Sequence, residues 1–368
     1  MNYSSFFKYS RYAVAAALVL TLGACGNDDD GDDDPAPDNS YTVPETYNFE
    51  NVKYTGQTER LDMLAEMTTY MKTGNTQGTT LDAQILKDMF ANVNGQFSTT
   101  YSKNLESKTF APVVAMFQVV MDVFATAWLS ATPGSDGTAG VVTSIDGAKS
   151  YLLNEDGVEY TQLIEKGLMG ATFYYQATAV YLSDDRIGDA VDNTTVVPGE
   201  GTDMEHHWDE AFGYFGVEKD FPTNTDVRFW GNYCNGRDGV LGTNSRLMDA
   251  LLKGRAAISN NDKDAKLEAR TEVSKVWEEV VAGTAIHYIN GGLEDFNDDA
   301  LRCHQLSEAW AFILSLKYNS NGTLSASQVD ALLAQLGADF YDITVADLNA
   351  LKDSMAATFG LESVKDQL

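Results

Sequence analysis

Two of the four histidines in this chain stand side by side in MEHHWDEAFGYFGV, Met204–Val217, among the carboxylates Glu205, Asp209 and Glu210. Imidazole and carboxylate hold borderline and hard metal ions and move protons, so the first question is which of them a helix would turn the same way. His207 and Glu210 are spaced i,i+3 and share a face that continues to Tyr214. His206 points to another side, with Asp209 and Glu210 three and four residues on. The face of His207 leads into the aromatic side of the helix, which makes it the inward-facing histidine of the two. The plain alternative is a solvated helix start, where Asp203 and Glu205 suit the helix dipole.

A second pair, His304 and Glu308, is spaced i,i+4 on a face running from Leu301 through Ala311, Phe312 and Ser315. Glu308 therefore sits inside a strongly apolar helix. Burying a lone carboxylate costs several kcal/mol unless it is paired or holds an ion, so Glu308 is the most informative single residue. The competing reading is a hydrogen bond to a tyrosine or a salt bridge. His287 follows Val276, Val280 and Thr284 on its own face and reads as a core histidine or a supporting neighbour of a site, as do His206, Asp209 and Tyr214. Helical bundles build metal sites by converging histidine and carboxylate from facing helices. The expected site is therefore His207, Glu210, His304 and Glu308 meeting at one buried spot and holding a divalent or trivalent transition metal such as Fe, Zn or Mn.

The elements that would position these residues are helical nearly throughout. Helical spacing runs through GQTERLDMLAEMTTYMKTG and through TTLDAQILKDMFANVNG, which opens on a threonine cap candidate. It continues in Val113–Ala131 and in the long GVEYTQLIEKGLMGATFYYQATAVYL, where Gly167, Gly170 and Ala171 allow a close neighbour. TPGSDGTAG reads as a loop, and FPTNTDVRFWGNYCNGRDGVLGTN as an aromatic and glycine-rich passage before the helix SRLMDALLKGRAAIS. Helices over about Asp264–Ile289, DALRCHQLSEAWAFILSLKYN, SASQVDALLAQLG and TVADLNALKDSMAATFG complete the chain. No sustained strand alternation occurs, and the fold expected is all-α, built of helical bundles.

The N-terminus reads as an address. Lys8 and Arg11 precede the short apolar run YAVAAALVLTLGA, which ends in LGAC. This is the pattern of a bacterial lipoprotein signal over residues 1–24, with lipid on Cys25. The acidic, apolar-poor stretch 25–46 reads as a disordered tether to a helical region 47–368, with possible halves 47–200 and 201–368. With Cys25 lipidated, Cys234 and Cys303 remain in an oxidising compartment and form a disulfide candidate. With 54 Asp plus Glu against 25 Lys plus Arg, the surface repels nucleic acid, and that partner class is set aside. H-E-x-x-H and H-x-x-E-H, a P-loop, a G-x-S-x-G elbow, EF-hand spacing and a C-x-x-C-H haem site are all missing.

HHWDEAFGYFG, AGTAIHYIN and HQLSEAWAFILSLKYN, in that order, resemble the blocks of a bacterial lipoprotein family described as domain of unknown function 4856. That family in turn looks related to the imelysin-like proteins. The resemblance implies an all-α fold of two packed helical bundles marked by G-x-H-x-x-E, with relatives that bind metal and several linked to iron uptake at the envelope. By position the motif histidine would be His207 and the glutamate Glu210, while Glu205 stands where the motif has glycine. A zincin-type ligand set is missing, so peptidase activity is not carried over. The expectation is a non-enzymatic protein, lipid-anchored to the outer membrane of a Gram-negative cell at its periplasmic face or surface. It would bind a transition metal, iron before zinc, or an iron-bearing ligand, beside an outer-membrane transporter or other envelope iron-uptake proteins. The alternatives are a metal-dependent envelope hydrolase and a structural or adhesive lipoprotein without metal.

Overall fold

The computed structural model describes residues 41–127 and 133–368; the signal, Cys25 and most of the tether lie outside the described residues. Ordered packing begins before the expected residue 47: the Tyr41 hydroxyl donates to Asp262 Oδ2 at 3.1 Å, and Tyr47 is wholly buried.

The helices are α1 Thr55–Lys72, α2 Ala83–Ala91, α3 Ala111–Ala127, α4 Tyr160–Leu168, α5 Asp203–Gly213, α6 Trp230–Leu241, α7 Thr243–Ser259, α8 Lys263–Glu294, α9 Asp299–Ser315, α10 Ala326–Leu336 and α11 Val345–Phe359. Their starts are written in local chemistry. The Thr202, Ser325 and Thr344 side chains accept from the backbone three residues on, and Glu205, Gln328 and Asp347 reach back, so α5, α10 and α11 open with capping boxes. Asp262 and Asp298 cap α8 and α9 in the same way. Asp82, not a threonine, caps α2, because its carboxylate accepts from the Gln84 backbone.

The long α8 lies at the centre, packed by α7, α9, α11 and α6. α4 runs on without a break as a π-helical segment, Met169–Tyr181. The small residues of this stretch do permit close approach: a Cβ on Gly170 would fall 2.8 Å from Ser315 Cβ of α9, and one on Gly167 would fall 2.9 Å from the Phe117 ring of α3. Trp230 packs against Tyr174 at 5.5 Å and Phe312 at 5.8 Å between ring centroids, so residues before and after 200 share one hydrophobic core. The two expected halves are therefore parts of one all-α bundle.

Two stretches differ from the sequence reading. Part of the passage read as glycine-rich is the helix α6, in which Gly231, Gly236 and Gly239 are carried by the burial of Trp230 and Cys234; tertiary packing overrides poor propensity. The region after the TPGSDGTAG loop holds a hairpin, β1 Gly140–Thr143 and β2 Ser150–Leu153, antiparallel with Val141 opposite Leu152. Its four-residue strands are too short for alternation to stand out. The helix expected over Val113–Ala131 is α3 as far as Ala127, with Phe117, Met121 and Phe124 buried; its last four residues lie outside the described residues. Among the described residues no helix is long and apolar enough to cross a membrane.

Candidate functional site

α9 and α4 lie side by side, and their facing side chains build a buried polar cluster. His304 donates from Nδ1 to Oε2 of the fully buried Glu159 at 2.6 Å, while its Nε2 faces Glu308 Oε1 at 3.6 Å. The Tyr151 ring of β2 stacks on the imidazole at 4.2 Å, which gives the hairpin a role in holding it. Ser307, one turn after Cys303, receives the Glu159 backbone N–H at 2.9 Å and ties the start of α4 to α9. The hydroxyls of Tyr233 on α6 and Tyr288 on α8 point to the Glu308 carboxylate, yet Glu308 Oε2 is buried without a partner in good hydrogen-bonding geometry. Lys166 is buried beside them, and its Nζ stands 3.1 Å from Glu165 Oε2.

The electrostatics follow from this geometry. Burial opposes charge on His304, but the Glu159 carboxylate and then Glu308 outweigh it and hold the imidazole pKa above its ordinary value. Burial also opposes charge on Lys166, and Glu165 and Glu308 more than compensate, raising its pKa. Burial drives the Tyr233 and Tyr288 hydroxyls well above the usual tyrosine range, with Glu308 adding to both. His287, on the next helix, has its pKa lowered by burial and by Arg237, and hydrogen-bonds to the Leu368 backbone. It is half-buried.

The other expected pair is arranged differently. Glu210 Oε1 accepts from Gln57 Nε2 at 2.8 Å and from the Tyr181 hydroxyl at 3.0 Å. The histidine nearest its Oε2 is His206, at 3.9 Å, rather than His207. His207 Nδ1 donates to the Arg186 carbonyl at 2.8 Å, which fixes the tautomer and leaves Nε2 facing the Arg186 guanidinium at 3.5 Å. A cation already stands where a metal would approach His207, so the expectation of His207 as an inward ligand is corrected. Tyr214 is buried against Phe173 at 5.4 Å. Asp209 belongs to a structural lock. It is fully buried and accepts from Tyr47 at 2.8 Å and from Arg255 Nε at 2.9 Å, while Arg255 Nη1 reaches Glu205 at 2.6 Å. Burial pushes the Asp209 carboxyl up to about 7 against the pull of Arg255.

The two pairs do not converge. Lys166 neighbours Glu308 and Tyr181 neighbours Glu210, and the continuous helix from 166 to 181 separates them by roughly 20 Å. Among the described residues no group of three or more His, Cys, Asp or Glu side chains is placed to hold a metal ion. The disulfide candidate is also corrected. Cys234 and Cys303 are both free and buried. Cys234 faces α7, where its carbonyl accepts from Thr243, and Cys303 packs on Gly157, Phe340 and Tyr341.

Glu159, Lys166, Tyr233 and Tyr288 were not singled out from the sequence. One signal was present: Glu165 and Lys166 are the only charged residues between Tyr160 and Tyr181. No curated protein and no solved structure matches the chain. A family model matches residues 44–362, most of the chain, and this chain belongs to the family described as domain of unknown function 4856.

Proposed function

We propose that this protein is a non-enzymatic, lipid-anchored component of the Gram-negative envelope that binds a transition metal, iron before zinc, through His304 and Glu308, and that it works beside an outer-membrane transporter in metal uptake. The observation that carries the reading is the line Glu159–His304–Glu308. A carboxylate that takes the Nδ1 proton of a histidine and leaves Nε2 bare toward a second carboxylate is how proteins orient a metal-binding imidazole. Two donors sharing one ion at bond lengths of about 2.0–2.2 Å stand about 3.4 Å apart, close to the 3.6 Å between His304 Nε2 and Glu308 Oε1. The unpartnered Glu308 Oε2 fits the same role. Tyr233 and Tyr288 would complete the donor set, and imidazole, carboxylate and phenol together suit iron better than a sulfur-seeking ion.

Elemental analysis of protein purified without added metal tests the reading. A stoichiometric transition metal, lost in both His304→Gln and Glu308→Gln while helical circular dichroism persists, supports it. Ferric loading should add a phenolate charge-transfer absorption that Tyr288→Phe or Tyr233→Phe weakens. Metal-free protein that stays so after loading with Fe, Zn and Mn would overturn it. Chelator-sensitive hydrolysis of peptides or esters by the loaded protein would move the assignment to a hydrolase. The structural reading has its own support in the fully engaged Glu210 and the Arg255–Asp209 lock, and it would stand if no metal binds.

A further inference from the structure

Beside the opposite end of the α4–π helix, three other elements bring basic side chains that form no salt bridge among the described residues. Arg60 is 5% exposed, yet its guanidinium is held by neutral carbonyls, Nε donating to Asn104 at 2.8 Å and Nη1 to Gly56 at 3.0 Å. Lys108 Nζ donates to the Tyr181 hydroxyl at 2.8 Å. Arg186 makes only the long contact to His207. Among the described residues none of these three forms a salt bridge, in a protein with 54 acidic and 25 basic side chains. Tyr181 links them: it accepts from Lys108, its hydroxyl donates to Glu210 beside Gln57 on the helix of Arg60, and its ring lies 6.3 Å from that of His207, the partner of Arg186; the neighbouring cations together oppose the charge on Lys108, which burial already disfavours. Exposed Lys103 lies over Gly56 beside Arg60.

The carboxylates nearby are committed elsewhere. Glu59 accepts the backbone N–H groups of Ser102 and Lys103, Glu106 takes Gln118, and Asp184 pairs with Arg270. Glu210, the one acid in the cluster, is already held by Gln57 and Tyr181. Glu210 offsets only part of the charge of three cations, and repelling cations held close together in a partly buried place are costly. Such an arrangement is stabilised when an anion enters.

We propose that Arg60, Lys108 and Arg186, with Lys103 at the rim, form a binding site for a small oxyanion, a phosphate or a compact polycarboxylate. Arg60 is the buried member, Lys108 is half-buried, and the Arg186 guanidinium, beside His207 Nε2, is exposed, so an anion would meet them in the reverse order. The proposal is independent of the metal reading, because the Glu308 cluster lies at the far end of the same helix.

Calorimetric titration of the purified mature protein with inorganic phosphate and with citrate, at low ionic strength, tests it. Saturable binding of one of the two is expected, weakened by added sodium chloride. Lys108→Met and Arg186→Gln should each reduce affinity about tenfold or more, whereas Lys275→Met, a change at an exposed lysine of α8, should not. Arg60→Lys probes the buried member, and circular dichroism checks that it folds. Heats that do not saturate, or binding that survives both Lys108→Met and Arg186→Gln, would overturn the proposal.

Discussion

Replacing Gly170 with Ala puts a methyl group at the closest approach of the two helices that build the Glu159–His304–Glu308 cluster. Its Cβ would meet Ser315 Oγ, and would lie 2.8 Å from Ser315 Cβ and 3.2 Å from Ser315 Cα. Rotating Ser315 moves the hydroxyl, which otherwise donates to the Ala311 carbonyl at 2.8 Å, but moves neither carbon. Carbon contacts settle at about 3.5–4.0 Å, so the helices must part by roughly 1 Å. Overpacking of this kind costs about 1–3 kcal/mol, and the weakened Ser315 hydrogen bond adds about 1. The lower backbone entropy of unfolded alanine returns about 0.4–1 kcal/mol. The net loss is about 2–3 kcal/mol, a fall in Tm of about 5 °C for a domain of this size. The assay is a thermal and urea double-mutant cycle with Ser315→Gly, which removes both Oγ and Cβ from the path of the new methyl group. Gly170→Ala should be milder in the Ser315→Gly background by more than about 1 kcal/mol. An additive cycle, or a single variant within about 0.5 kcal/mol of the parent, would refute the geometric reasoning.

Three other outcomes follow from the same structure. His304 has a raised pKa, so the stability it contributes is fully present below the unfolded imidazole value and is lost as pH rises through the folded value; Glu159→Gln should lower the NMR-titrated His304 pKa and flatten that loss, and an unchanged titration would exclude the pair. Thiol counting on the denatured, unreduced mature protein should find Cys234 and Cys303 both free, with neither reacting before unfolding, since burial pushes both thiols up to about 12; a single mass consistent with a bridge would contradict this. Arg255→Met should cost about 3–5 kcal/mol in urea denaturation by leaving Asp209 buried beside Tyr47 without its cation, and Arg255→Met with Asp209→Leu should recover much of that loss; no recovery would show that the loss came from packing on Phe49 instead.

The all-α architecture was legible because its signals are local. Capping residues, a period of 3.6 and small residues at helix contacts each act within a few positions, and Gly170 against Ser315 is the outcome that such a stripe implies. Helix α6 was not legible, because Gly231, Gly236 and Gly239 argue against a helix that tertiary burial holds in place, Cys234 and above all Trp230 among Tyr174, Trp277 and Phe312. With α6 went Tyr233, one of the two tyrosines whose hydroxyls point to Glu308.

The contrast between the two histidine pairs marks where helical spacing stops deciding. Spacing places side chains on a face, and both pairs share one. For His304 the groups in direct contact are acidic or aromatic, Glu159 from the start of α4, Glu308 one turn on and the Tyr151 ring above, and the one nearby cation, Lys166, is paired with Glu165. The cost of burying Glu308 therefore pointed at a true polar cluster, because that cost depends on the apolar character of its own helix, which is written in the chain. For His207 the deciding neighbour is Arg186, which a loop of about 20 residues brings back against α5. Nothing in the spacing of His207 and Glu210 encodes that return. The same return brings a cation against the expected ligand, with Lys108 on the neighbouring Tyr181. A pair of residues that suits a metal on its own helix thus takes the opposite electrostatic sense from its tertiary neighbours.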